Sequence, residues 1–218
     1  MRRIFLLVIF ITFFVLVSYL LFQKKAIAPT LTQEKIYNNQ DNQLATPTPA
    51  QDDKIFEPIS QALSRISKKP FGLKVSPQDS PVSPEKFSGY HTGVDFETNT
   101  AEQNIDVSIY AICSGKLLLK KYATGYGGLA VQACQINGED FTVIYGHLRL
   151  SSIGAKVGGE LEAGERLGVL GTGFSTETDG ERKHLHLGLH RGSGINILGY
   201  VKNSADLGTW LDIATLLE

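Results

Sequence analysis

Five histidines, His91, His147, His184, His186 and His190, fall in the last 128 positions of this 218-residue chain, and three of them lie within seven residues. In the run His184-Leu185-His186-Leu187-Gly188-Leu189-His190 an extended backbone sends the imidazoles to one face and the leucines to the other, so the leucine face is the one to bury. In His91-Thr92-Gly93-Val94-Asp95 the same alternation puts an imidazole and a carboxylate on one side of a strand, with Gly93 removing bulk between them. His147 ends the run Val143-Ile144-Tyr145-Gly146-His147, a further strand end. Imidazole and carboxylate donors with one coordination position left open are what zinc selects for chemistry, and additional imidazoles within reach serve proton transfer. A lone strand-end histidine is more often a surface or satisfied core residue, and an HxH tripeptide alone is weak evidence. The weight lies in the set, which uses four of the five histidines; His190 keeps the plain reading.

The elements that must position these residues read as short strands. Pro70 to Val75, Ile105 to Ile112, Lys116 to Lys121, Leu129 to Ile136, Phe141 to His147, Arg166 to Leu170 and His184 to His190 are rich in Ile, Leu, Val and Tyr and are separated by Gly, Asn, Asp or Ser. Asn137-Gly138 is a hairpin turn signal, because both central positions of a type I′ turn need positive φ. Ile59, Leu63 and Ile66 predict an amphipathic helix over Pro58 to Ser67, and Thr209 to Leu217 predicts a short closing helix. With 22 glycines and one methionine the chain reads as a mainly β fold: an antiparallel sheet or sandwich with short peripheral helices. If the Gly125 to Gly128 loop turns about its middle, facing positions sum to 247, and Cys113 and Cys134 satisfy that sum. A disulfide outside the membrane and two buried thiols in the cytosol are both open on this reading.

Ile4 to Phe22 is a run of 19 residues without charge, flanked by Arg2 and Arg3 and by Lys24 and Lys25. As a helix it is about 28 Å long, close to the hydrocarbon thickness of a bilayer. It is expected to be a transmembrane signal anchor over residues 1–25, with its N-terminus in the cytoplasm and the following domain outside. Cleavage after the Ala26-Ile27-Ala28 triplet, giving a secreted protein, is the alternative. Residues 26–53, rich in Thr, Gln, Asn, Pro and Asp, are expected to form a disordered linker, and 54–218 the globular domain. The net charge of −1 gives no electrostatic hold on nucleic acid, so no such partner is expected.

His91-Thr92-Gly93-Val94-Asp95-Phe96, Tyr145-Gly146-His147-Leu148 and His184-Leu185-His186 resemble, in order and spacing, the three signature motifs of the lysostaphin/LytM-type zinc endopeptidases. The runs Ala111 to Lys116, Gly125 to Gly128 and Leu161 to Gly171 resemble that family's β scaffold, and the likeness covers about Phe71 to Trp210. Two features depart from it: a long Phe174 to Lys183 loop before the HxH strand, and Gly188 where relatives are often polar. The resemblance implies Zn²⁺ bound by His91, Asp95 and His186 with water as the fourth ligand, and His147 and His184 as the catalytic pair. It implies hydrolysis of peptide bonds in peptidoglycan stems or cross-bridges. The same fold also occurs as regulators that do not hydrolyse but activate cell-wall amidases; those lack one or more ligands, whereas here all five positions carry competent residues.

Overall fold

The computed structural model describes residues 55–217. The expected anchor (1–25) and linker (26–53) lie outside the described residues. Among the described residues no helix is long and apolar enough to cross a membrane.

Among the described residues eleven strands form, all paired antiparallel: β1 (Lys74–Val75), β2 (Gly89–His91), β3 (Gly93–Glu97), β4 (Ser108–Tyr110), β5 (Gly115–Ala123), β6 (Gly127–Ile136), β7 (Glu139–Gly146), β8 (Glu160–Leu161), β9 (Arg166–Val169), β10 (His184–Arg191) and β11 (Tyr200–Val201). A six-stranded sheet of order β3-β10-β7-β6-β5-β8 is the body of the domain; β1-β2-β11 and β4-β9 make two smaller sheets. The β6–β7 hairpin closes on Asn137 and Gly138 with φ of 52° and 79°, the positive values that a type I′ turn requires.

Alternation decides which side of the large sheet is buried in the main core. Leu185, Leu187 and Leu189 of β10 pack with Val94 and Phe96 of β3 and with Val143 and Tyr145 of β7, all of them buried. The opposite face carries a smaller cluster of Leu129, Val131, Ile144, Tyr126 and Trp210, and beside it the histidines. Because both faces of β7 are covered, its burial is continuous from Phe141 to Gly146 instead of alternating.

Several sequence expectations are corrected. The helix over Pro58 to Ser67 contracts to a single 3-10 turn, Leu63–Arg65. Gln61 adopts a φ of 59°, which interrupts helical backbone, and the residues that bury are Ile59 and Ala62, while Leu63 stays 42% exposed. The closing helix is two 3-10 segments, Ser204–Thr209 and Ile213–Leu216, separated by Trp210, which is held against the sheet by a bridge to His190. The strand expected over Pro70 to Val75 keeps only its last two residues, and the one over Ile105 to Ile112 keeps only Ser108–Tyr110. His91 and Asp95 do not share one strand. At Thr92 the chain leaves the small sheet for the large one, because the Thr92 N–H and hydroxyl bond to the Gly199 and Leu198 carbonyls (3.1 and 2.5 Å).

Cys113 and Cys134 form a disulfide with Cα atoms 5.9 Å apart. The register differs from the expected one. Partners near the turn, such as Tyr122 with Gly128, are three positions off a sum of 247, and an irregularity between Leu117 and Leu119 shifts it again. Cys113 lies before β5 begins and is brought to β6 by the chain entering that strand, where the Gln132 amide donates to the Cys113 carbonyl at 2.7 Å.

One polar knot sits inside the main core. The Tyr145 hydroxyl, fully buried, donates to Gln132 Oε1 (2.8 Å) and accepts from the Ile112 N–H (3.0 Å). Tyr145→Phe strands both partners without water, at about 1–3 kcal/mol for an unsatisfied buried group. Chemical denaturation of the variant should show a loss of that size; unchanged stability would mean that the knot contributes nothing.

Candidate metal centre and cleft

The site begins with a cross-strand pair. His186 on β10 stands directly opposite Asp95 on β3 and, on its other side, opposite Gly146 on β7. Side chains at these positions share the face away from the leucines, so carboxylate and imidazole meet by register alone. His91 Nε2 lies 3.3 Å from Asp95 Oδ1 and 3.0 Å from His186 Nδ1, and His186 Nδ1 lies 3.2 Å from the same oxygen. These three residues, all buried, offer one ligand atom each within 4.8 Å of one another, a group that could hold a metal ion.

The tautomers make the convergence more pointed. His91 Nδ1–H donates to the Pro70 carbonyl at 3.2 Å, which leaves its Nε2 as a bare nitrogen directed at a carboxylate oxygen. His186 Nε2 is buried with no hydrogen-bond partner. His91 Nε2 and Asp95 Oδ1 are thus two acceptors 3.3 Å apart, and what relieves them is positive charge between them, a proton on His186 Nδ1 or a shared cation.

His184 and His147 complete the arrangement. His184 Nδ1–H donates to the Arg182 carbonyl (2.9 Å), and its Nε2 lies 3.2 Å from Asp95 Oδ2. The His147 ring is 4.2 Å from that of His184, and its Nδ1 is buried without a partner. His147 holds a φ of 63°, a left-handed value uncommon for any residue but glycine. Its N–H bonds the Tyr126 carbonyl (3.1 Å) and its carbonyl accepts from Gly171 N–H (2.8 Å), so that the backbone is pinned from both sides. His190 lies apart, its ring 4.8 Å from that of Trp210.

Charge is distributed unevenly over Asp95, which is 1% exposed. Burial would raise its pKa, but His184 and His91 outweigh that and hold the carboxyl well below its ordinary range. Burial pushes His186 down to about 4 in spite of Asp95. It also pushes His147 well below its usual value, with His184 adding to the shift. His147 and His186 are thus neutral near pH 7, the form that accepts a proton or ligates a metal.

The site opens into a cleft of about 310 Å³, walled by Phe87, Tyr126, Ile197, Leu198 and Tyr200. The alternation that singled out the histidines carries no sign of several residues found here. Tyr126 presents its ring edge to His186, with centroids 5.2 Å apart, and its buried hydroxyl has no partner. Lys69 donates to Tyr200 and to Glu85 (3.0 Å), with Asp95 Oδ2 at 3.9 Å. Arg182 binds Asp95 and Glu97. Two of them leave a trace in the sequence: Arg182 stands two and four positions before His184 and His186, and Tyr126 lies in the Gly125 to Gly128 run.

Residues 89–197 match the model of a family described as Peptidase family M23. No curated protein matches the chain. Among solved structures, CbpA from L. salivarius REN is 20% identical, with 75% of this chain and 94% of that one covered and a TM-score of 0.49. LytU is 22% identical over 68% and 81% of the two chains, TM-score 0.46. Lysostaphin, an antimicrobial peptidase from Staphylococcus simulans, is 26% identical over 74% of this chain and 53% of its own length, TM-score 0.43.

The close packing around His186 gives a direct test. A Cβ on Gly93 would lie 2.7 Å from His186 Nε2 and 2.6 Å from the Leu187 carbonyl, and the latter is sheet backbone that cannot yield. Gly93→Ala should cost about 1–3 kcal/mol of overpacking and displace the His186 ring. Thermal unfolding and metal content, measured together, should both fall; wild-type values in both would contradict this geometry.

Proposed function

The chain belongs to peptidase family M23, and from that membership we propose that it is a zinc-dependent endopeptidase that hydrolyses peptide bonds in peptidoglycan stems or cross-bridges during wall remodelling. The observation that carries this reading is the convergence of His91 Nε2, Asp95 Oδ1 and His186 Nδ1 on one buried point. The donor set suits zinc: two imidazole nitrogens and one carboxylate oxygen, with His91 Nε2 and Asp95 Oδ1 brought within 3.3 Å of each other and His186 Nδ1 within 3.2 Å of that oxygen. A zinc ion held there supplies the Lewis acidity that amide hydrolysis needs at neutral pH.

The remaining work falls to side chains. His147, neutral and with a buried unpartnered Nδ1, is the group free to take a proton from an attacking water. His184, oriented at Nδ1 by the Arg182 carbonyl and with Nε2 3.2 Å from Asp95 Oδ2, stands beside it to steady negative charge on the reacting carbonyl oxygen once Nε2 turns from Asp95 towards that oxygen. The aromatic and aliphatic walls of the cleft shed water from a bound peptide and leave its backbone amides facing the histidines.

For location, we propose that Ile4 to Phe22 anchors the chain in the membrane with the catalytic domain outside, where its substrate is. The Cys113–Cys134 disulfide fits such an oxidising compartment.

The full chain should purify with about one zinc, and His186→Ala should lose most of it. His147→Ala should keep the metal and lose hydrolysis of purified sacculi. Full occupancy in the His186 variant would reject the ligand set, and a folded but metal-free His147 variant would reject the division of roles. A zinc-loaded wild-type chain that leaves sacculi intact while accelerating a cell-wall amidase would replace the enzyme with a regulator.

A further inference from the structure

The two oxygens of Asp95 face different surroundings. Oδ1 looks towards His91 and His186 at 3.3 and 3.2 Å, whereas Oδ2 receives Arg182 Nη2 at 2.9 Å. Arg182 is itself braced: its Nε donates to both oxygens of Glu97 at 3.0 Å, and Nη2 donates to Glu97 as well. Glu97 lies two residues beyond Asp95 on β3 and is the register partner of His184, so Asp95, Glu97 and His184 occupy one face of the β3–β10 pair. The guanidinium, with its side chain only 13% exposed, fills the space at the end of that face. Through its carbonyl the same residue accepts the His184 Nδ1–H at 2.9 Å.

We infer that Arg182 is a positioning residue, whose guanidinium fork, held by Glu97, occupies the outer oxygen of Asp95 and so keeps the inner oxygen aimed at the two imidazoles. Planar bidentate recognition is what distinguishes Arg from Lys: one edge of the fork grips Glu97 while Nη2 is shared with Asp95. Without it, Oδ2 keeps only His184 Nε2 at 3.2 Å and Lys69 at 3.9 Å, the latter beyond hydrogen-bond reach, and no donor braced by a second carboxylate limits the rotation of Asp95 about its terminal bond.

Two effects oppose each other when this residue is removed. Losing a positive charge next to a ligand carboxylate favours a bound cation, whereas losing the hydrogen bond that orients the ligand disfavours it. Removal of an orienting partner of this kind typically costs 10–100-fold in metal affinity. The charge effect is diluted by the Lys69 ammonium, which remains 3.9 Å from Oδ2. Orientation therefore dominates, and the sign of the change is the test.

This inference rests on the metal reading above, and the experiment separates the two. Zinc affinity of the full chain is measured by competition with a chromophoric chelator, and the cobalt(II)-substituted chain is examined by its visible absorption bands. Asp95→Asn should abolish tight zinc binding. Arg182→Met should weaken it ten- to a hundredfold and shift the cobalt bands, and Arg182→Lys should fall between wild type and Arg182→Met. If Arg182→Met fails to fold by circular dichroism, Arg182→Lys decides: severalfold weaker zinc with altered cobalt bands supports the role, and wild-type behaviour overturns it. Zinc affinity unchanged or tightened in a folded Arg182→Met chain overturns the inference while leaving the ligand set intact. A wild-type chain that binds no zinc, with Asp95→Asn indistinguishable from it, takes down both.

Discussion

Asp95 is a carboxylate taken almost wholly out of water, and the domain around it is organised to make that tolerable. An ionised carboxylate in a low-dielectric interior costs several kcal/mol unless hydrogen bonds and opposite charges meet it. Here Oδ2 is met by Arg182 at 2.9 Å and His184 at 3.2 Å, with Lys69 near, while Oδ1 is left among imidazole nitrogens. The requirement reaches outward. Arg182 needs Glu97, Lys69 needs Glu85 and Tyr200, and each of those groups comes from a different segment. Burial of one charge thereby fixes the relative placement of the chain before β2, the end of the Phe174 to Lys183 loop and β11.

The sheet supplies what those polar contacts cannot, a rigid plane with a defined register. Three leucines of β10 lock its reverse face into the main core, and a slip by one residue would turn them outward and bury the histidines in their place. The apolar face therefore specifies the polar one. Thr92 adds a second constraint: its bonds to the Gly199 and Leu198 carbonyls draw the chain out of one sheet and into another, which lets His91 approach Asp95 from the side.

Much of this was legible in the sequence, and the parts that were not share a cause. The β character, the Asn137-Gly138 turn and the faces of β10 follow from period-two alternation and local turn chemistry, which neighbouring residues determine. The grouping of His91, Asp95, His147, His184 and His186 could be read because each stands in a short motif. Arg182 and Tyr126 could not be read in this way. The Arg182 contact with Asp95 spans 87 positions, and Tyr126 matters only because the strand returns it under His186. The helix expected over Pro58 to Ser67 failed for a tertiary reason as well: Ile59 and Ala62 are the residues that the core accepts, and the backbone bends at Gln61 to deliver them. The facing-position sum picked out a pair that does bond, Cys113 with Cys134, but by way of a different register: partners near the turn lie three positions off that sum, and an irregularity in β5 between Leu117 and Leu119 shifts the count before the cysteines are reached.

On the proposed reading, two imidazoles and one carboxylate of this face hold a single zinc ion, with His147 and His184 outside its ligand set. Zinc K-edge X-ray absorption on the full metal-loaded chain tests it most directly, because imidazole rings give a distinct outer-shell scattering pattern and sulfur a longer, stronger first shell. The expected spectrum has a light-atom first shell with the scattering of two imidazoles. Three or more imidazoles would draw His147 or His184 into the ligand set, and a sulfur shell would move the metal to Cys113 and Cys134; either would contradict it.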